Sequence, residues 1–274
     1  MVVSGEEGDN MAFLIIALTI IFLVWLIKPY IIHYDTIQCY TGGLGSGKSL
    51  KSVQQAKKLL RKNRRKVKWH NLLHPKDRWE KPLLYSSIPL RISRKEYAEV
   101  LTAGHLLLWE RIVPRSVVFI DEIGAFANQF DFKNPLVLKN FNEAIRLFRH
   151  YTRGGYIVCN DQCSENIVLE IRRRINVVYN LMHFKKFLCF YWVKCRNISI
   201  SEEIKTVEEG NTEDNMRTLV GFINPFFRSY DTHCYAGRYK SVPTEVADRW
   251  KVLQTNRLLT LPKERREPLT TDTD

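Results

Sequence analysis

Residues 36–49 read TIQCYTGGLGSGKS, and Gly42, Gly43, Leu44, Gly45, Ser46, Gly47, Lys48 and Ser49 fill every position of the pattern G-x-x-x-x-G-K-[ST]. The six residues ahead of the first glycine form a short β-like run. Behind Ser49, the apolar positions Leu50, Val53, Ala56 (or Lys57) and Leu60 recur at helical spacing, which predicts a helix over 50–60. A strand, a glycine-rich turn and a helix start, in that order, are what a phosphate cradle needs. The glycines let backbone N–H groups converge on phosphate oxygens, and the helix start adds its partial positive charge. In this pattern Lys48 reaches the β- and γ-phosphates and Ser49 ligates Mg2+. The expected fold class is therefore α/β, with a mostly parallel sheet built on this strand, and the expected ligands are ATP and Mg2+.

A second strand follows about 70 residues later. Val117, Val118, Phe119 and Ile120 form an unbroken apolar run, as in a parallel strand buried on both faces, and they end in Asp121 and Glu122. An acid at the carboxyl end of such a strand is where a P-loop nucleotidase holds its metal. Asp121 is expected in the Mg2+ shell, and Glu122 is expected to polarise the attacking water. The strands of Gly42 and Asp121 are expected side by side in the sheet.

Residues 142–151 read as a helix with Ala144 (or Ile145), Phe148 and Tyr151 on one side. The turn Thr152-Arg153-Gly154-Gly155 then leads into the strand Tyr156-Ile157-Val158-Cys159. At that strand's end, Gln162 is the first candidate to contact the γ-phosphate or the attacking water, and Asn160 the second. Arg149, Arg153 and Arg172 are candidates for an arginine supplied to a neighbouring subunit's transition state. Solvation or nucleic-acid contact is the competing reading of each.

The chain has 274 residues, 42 Lys+Arg against 29 Asp+Glu, and a net charge of +13; 45% is apolar and 26% charged. Those values suit a packed domain and exclude global disorder, collagen-like repeats and a polytopic membrane protein. They call for an anionic partner. Residues 11–27 (MAFLIIALTIIFLVWLI) carry no charge, and at ~1.5 Å per residue they nearly cover a ~30 Å hydrocarbon core. We expect a transmembrane helix over 11–32, after a short non-cytoplasmic tail, 1–10. Lys28 and eight basic residues in 57–68 follow the span and none precedes it, so the rest of the chain is expected at the cytoplasmic side of an inner membrane, carrying about +15. Six scattered cysteines, Cys39, Cys159, Cys163, Cys189, Cys195 and Cys234, fit a reducing compartment and no disulfide scaffold.

These stretches together resemble the zonula occludens toxin-like (Zot) family of filamentous-phage assembly and export ATPases, within the FtsK/HerA-like P-loop superfamily. The residues carrying the likeness are Tyr40 and Thr41 with the glycine loop, Val118 to Glu122, and the run Phe148-Arg149-His150-Tyr151-Thr152-Arg153-Gly154-Gly155 through Gln162. The arginine-rich turn at Arg172 and Tyr230-Asp231-Thr232 add to it. The resemblance implies a membrane-anchored ATPase driving virion assembly, with single-stranded DNA as cargo, coat and assembly proteins as partners, and a homo-oligomeric ring. Relatives in that family place the span after the ATPase domain. The reverse order here is also met in conjugative coupling proteins and FtsK-like pumps, so a DNA translocase of that kind is the first alternative. A nucleotide-gated membrane scaffold is the second, and Glu122 argues against it.

The expected division is an ATPase core over 35–182, a β-rich part over 183–260 and a disordered polar tail over 261–274. Within it, residues 57–68 (KKLLRKNRRKVK) read as a solvated face, a lipid-facing patch or a DNA-backbone contact. His70, His74 and Asp77 read as surface loop, and Trp69 and Trp79 as core. Residues 180–201, with Phe184, Phe187, Cys189, Tyr191 and Val193, read as one long strand or a hairpin. Residues 202–218 are expected to form a polar loop or a short exposed strand.

Overall fold

The structure, a computed structural model, describes residues 6–27, 36–107, 110–126, 135–162, 167, 172–198, 216–222, 229–230 and 241–255. The glycine-loop strand β1 (Ile37–Thr41) feeds α2 (Lys48–Leu73), and an apolar helix, α1 (Glu6–Ile27), lies upstream. Next come short strands β2 (Leu84–Ser86), β3 (Arg91–Ser93), β4 (Glu96–Tyr97) and β5 (Glu99–Val100), then α3 (Ala103–Leu106) and β6 (Val117–Ile120). Helices α4 (Ile123–Phe126) and α5 (Pro135–Tyr151) precede β7 (Tyr156–Asn160). The chain continues through β8 (Val177–Phe187), β9 (Phe190–Ile198), β10 (Met216–Phe222) and a helix numbered here α6 (Thr244–Thr255).

One sheet of eight strands, ordered β10-β9-β8-β1-β7-β6-β2-β5, organises these elements. Its six strands from β8 to β5 are parallel, and β9 and β10 are added antiparallel. Period-2 alternation sorts the side chains into two cores. Ile37, Cys39, Val118, Ile120, Ile157 and Cys159 meet Ile145 and Phe148 of α5. Tyr40, Val117, Phe119, Tyr156 and Val158 meet Val53, Ala56 and Leu60 of α2 and Trp250 of α6. The sheet is thus covered by helices on both faces, the α/β layering expected of it.

Some expectations change. The strands of Gly42 and Asp121 are not neighbours, because β7 lies between β1 and β6 and pairs with both. Its apolar residues alternate into both cores, so it is a central strand, and nothing in the spacing of the motifs along the chain shows that. The first helix extends well past residue 60, so the basic run 57–68 is helical. Its faces differ: Lys57, Asn63 and Val67 are buried, whereas Lys58, Arg61 and Lys68 are exposed. His70 belongs to that helix too, its ring stacked 3.5 Å from Trp79. Residues 180–198 form a hairpin, and β8 carries a register shift between Met182 and Lys185, where His183 has φ 51°.

Helix α1 ends at Ile27, and residues 28–35 lie outside the described residues. Among the described residues, no helix is long and apolar enough to cross a membrane. Phe13, Leu14, Ile15, Ile16 and Leu18 of α1 are exposed. Cys163, Cys234, Asp231, Thr232 and the tail also lie outside the described residues.

Candidate nucleotide-binding site

The loop after β1 is shaped by backbone that only glycine enters readily. Gly42 has φ 145°, and a Cβ there would sit 2.6 Å from the Leu181 carbonyl oxygen of β8. Gly47 has φ 80° and caps α2, and a Cβ there would lie 2.5 Å from Cδ2 of Phe184. Phe184 therefore seats its ring directly on the loop. Helix α2 opens with no capping side chain and no acid in its first turn, leaving its first N–H groups to a ligand.

Two groups in the loop test whether phosphate fits. Ser46 Oγ is buried and has no hydrogen-bond partner. Lys48 is 7% exposed, and among the described residues its ammonium has no ion-pair or hydrogen-bond partner. An unpaired buried hydroxyl and an unpaired buried cation are costly together, and one anion satisfies both. The loop thus fits a nucleotide phosphate. Ser49, partly buried beside Lys48, and Asp121, buried at the tip of β6, are the residues that would hold Mg2+.

Asn160, wholly buried at the tip of β7, links the two halves of the site. Its Nδ2 donates to Asp121 Oδ1 at 2.7 Å and to Ser52 Oγ at 3.0 Å. Its Oδ1 accepts from the Glu122 backbone N–H at 2.8 Å. Ser52 Oγ in turn donates to the Ser49 carbonyl at 3.1 Å. A single amide therefore fixes the first turn of α2, the Asp121 carboxylate and the Glu122 backbone. That backbone is in the left-handed region, φ 48°, a conformation costing about 1 kcal/mol or more for a side-chain-bearing residue, and Asn160 helps hold it there. Gln162, two residues on, is exposed and has no partner among the described residues. With Asn160 committed to Asp121, Glu122 and Ser52, Gln162 is the amide left free to turn toward a ligand.

Two supporting residues went unnoticed in the sequence. Ser87 Oγ accepts from the Asp121 N–H at 2.9 Å, and Asp161 Oδ2 accepts from the Gly124 N–H at 2.5 Å while the Asp161 N–H donates to the Tyr40 carbonyl at 3.0 Å. Ser87 follows β2, and its role depends on β2 pairing with β6, which no local pattern encodes. Asp161 was legible, since it stands between the two amides already singled out.

The arginines sit elsewhere. Arg149 and Arg153 precede β7, and Arg172 precedes β8, so all three lie at the amino edge of the parallel sheet, whereas the glycine loop and Asp121 lie at its carboxyl edge. Within one chain they do not join the site. At that amino edge Arg115 (φ 63°) and Arg153 (φ 49°) are both in left-handed backbone, and the Arg115 N–H donates to the Thr152 carbonyl at 2.6 Å. Burial, and then the charge of Arg153, disfavour the cationic form of Arg115. Burial, and then Arg115, do the same to Lys66. The Arg115 guanidinium is stacked 3.2 Å over the Trp79 ring. Among the described residues no group of three or more His, Cys, Asp or Glu side chains is arranged to bind a metal.

No family model matches the chain, and no curated protein matches it. Among solved structures it is similar to the N-terminal domain of zonular occludens toxin from Neisseria meningitidis, at 17% identity, covering 70% of this chain and 95% of that one, with a TM-score of 0.39. It is also similar to the genome packaging NTPase B204 from Sulfolobus turreted icosahedral virus 2. For the complex with ATP-gammaS the identity is 13%, with 70% and 94% of the two chains covered and a TM-score of 0.37. For the complex with AMP it is 13%, with 73% and 98% covered and a TM-score of 0.38.

Proposed function

We propose that this chain is a membrane-anchored ATPase that powers assembly and extrusion of a filamentous virion, with DNA as cargo. One observation carries the ATPase reading: a glycine loop holding an unpartnered buried hydroxyl and an unpartnered buried ammonium, tied through Asn160 to two acids at the end of β6, two strands away in the same sheet. The roles divide by position. The loop N–H groups, Ser46 and Lys48 bind and orient the phosphates. Ser49 and Asp121 hold Mg2+, which when bound neutralises charge developing on the transferred phosphoryl oxygens. Glu122 takes the proton side of an attacking water, Gln162 positions that water, and Asn160 keeps Asp121 and Glu122 in place.

The uncharged stretch 11–27 supports the anchor, and the basic residues that follow it support a place for the domain at the cytoplasmic side of the host inner membrane. The amino-edge arginines support a ring of copies. Arg149, Arg153 or Arg172 can serve catalysis only at a neighbouring copy's glycine loop. The virion and its coat proteins come from the family resemblance of the motifs. The test is phosphate release by the full chain in lipid nanodiscs. Wild type hydrolyses ATP and Lys48→Ala does not; equal rates overturn the site. Genes for small single-span coat-like proteins beside this gene support the virion reading, and relaxase-like genes replace it with conjugative transfer.

A further inference from the structure

The hairpin sheet beyond the glycine loop has two unlike faces. Its inner face is core: Leu181, Tyr191, Val193 and Cys195 are each at most 3% exposed, Tyr191 Oη donates to Gln54 Oε1 of α2, and Gln54 Nε2 donates to the Phe222 carbonyl at 3.2 Å. The outer face is apolar and uncovered. Residues directly opposite one another in antiparallel strands share a face. Phe187 pairs with Phe190, which pairs with Phe222, giving a row of three rings across β8, β9 and β10 that are 51–62% exposed. The rings of Phe190 and Phe222 meet edge-on at 5.7 Å. The next rows in carry Lys185 opposite Trp192, and then Lys194. Lys185, Lys194 and Arg196 stand on this face, whereas Lys186 and Arg217 pair with the inner-face Tyr191 and Cys195; the three strands hold no Asp or Glu.

We propose that this outer face is a stacking platform for single-stranded DNA. Exposed rings in register on a sheet, flanked by lysines and free of acids, match bases on a polyanionic backbone. A duplex hides the base faces that the rings would stack on. DNA rather than RNA is the occupant through the cargo of the proposed motor, since the lysines and Thr218, opposite Lys194 on this face, could equally meet a 2′-hydroxyl. A second copy of the same face would bring the lysines together. The proposal deepens the DNA-motor reading and rests on it for the cargo, but not on turnover.

The test is fluorescence anisotropy of labelled dT20 with the full chain in neutral-lipid nanodiscs, without nucleotide, at about 100 mM salt. Phe190→Ala should weaken binding roughly 5- to 100-fold, and Phe190→Tyr should restore it. Lys185→Gln should weaken it less and lower the salt slope by about one phosphate contact. A 20-base-pair duplex and rU20 should bind more weakly than dT20. Unchanged dT20 binding by Phe190→Ala overturns the platform, as does duplex or rU20 binding equal to that of dT20. So does a Phe190→Ala variant that loses self-association or binding to phosphatidylglycerol vesicles while keeping dT20. If Phe190→Ala misfolds, judged by lost ATPase activity, Lys185→Gln decides the outcome in the same way. A chain that binds dT20 through this face yet releases no phosphate sinks the motor and leaves the platform standing.

Discussion

At the carboxyl edge of the parallel sheet, polar groups are spent on one another: Asn160 on Asp121, Glu122 and Ser52, Ser87 on Asp121, and Asp161 on Gly124. At the amino edge, ten to fifteen ångströms away along the same strands, cations crowd instead, with Lys66, Arg115 and Arg153 mutually unfavourable and two of them in left-handed backbone. The first edge is complete except for an anion at Ser46 and Lys48. The second carries charge and strain, with the Arg115 guanidinium stacked on Trp79. The difference teaches that one domain carries an anion receptor at one end and a concentration of cations at the other.

The hardest blow to this contrast is Lys48→Ala, expected to cut phosphate release at least 100-fold with no loss of thermal stability, since the ammonium has no partner to lose. A lower melting temperature with turnover intact would make Lys48 a structural residue. Next is Asn160→Ala, which strands a buried carboxylate oxygen, a hydroxyl and an N–H; the expected cost is about 2–3 kcal/mol by urea unfolding, with turnover falling more than tenfold. A loss below about 0.5 kcal/mol would mean that the carboxyl-edge network is not built around this amide.

At the other end, acid tests the anchoring of α2. Hydrogen bonds from Arg64 first, and then Lys81, hold the Glu96 carboxyl down at about 2 from its usual 4.5. A depressed carboxylate contributes stability that is complete above the unfolded value and is lost as pH falls through the folded one. Stability should therefore drop between pH 4.5 and 2 by about 2 kcal/mol, allowing for the side chain's partial exposure, and Glu96→Gln should remove that slope. The smallest effect is at Arg153. Arg153→Gly relieves its positive φ and should stabilise the isolated domain by about 0.5–1 kcal/mol. If this arginine completes a neighbour's site, the same change lowers ATPase activity only at concentrations where copies associate. An equal loss at every dilution would refute an intermolecular role.

Much of the carboxyl edge was legible, because each of its chemical residues follows an apolar strand run within two or three positions: Gly42 after Thr41, Asp121 after Ile120, Asn160 after Cys159. The place of β7 between β1 and β6 was not, since strand order depends on which apolar faces pack across the sheet and not on distance along the chain. The position of the arginines was there to be read. Arg153 and Arg172 come just before strands, and in a parallel sheet a residue before a strand lies at the edge opposite one that follows. The charge run 57–68 misled in another way: composition cannot tell which side of a helix faces the sheet, so Lys57, buried and donating to the Arg91 carbonyl and the Ser229 hydroxyl, looked like its exposed neighbours. Burial and then neighbouring cations lower its ammonium to about 8.

The irregularity in β8 has a mechanical consequence. The strand is pinned to β1 from Val177 to Asn180, carries Phe184 against Gly47, and ends at Phe187. Its extra residue lies between Met182 and Lys185, where a bulge bends and twists a strand. The ring on Gly47 therefore sits at the joint between the pinned base of β8 and the row of exposed phenylalanines at its tip.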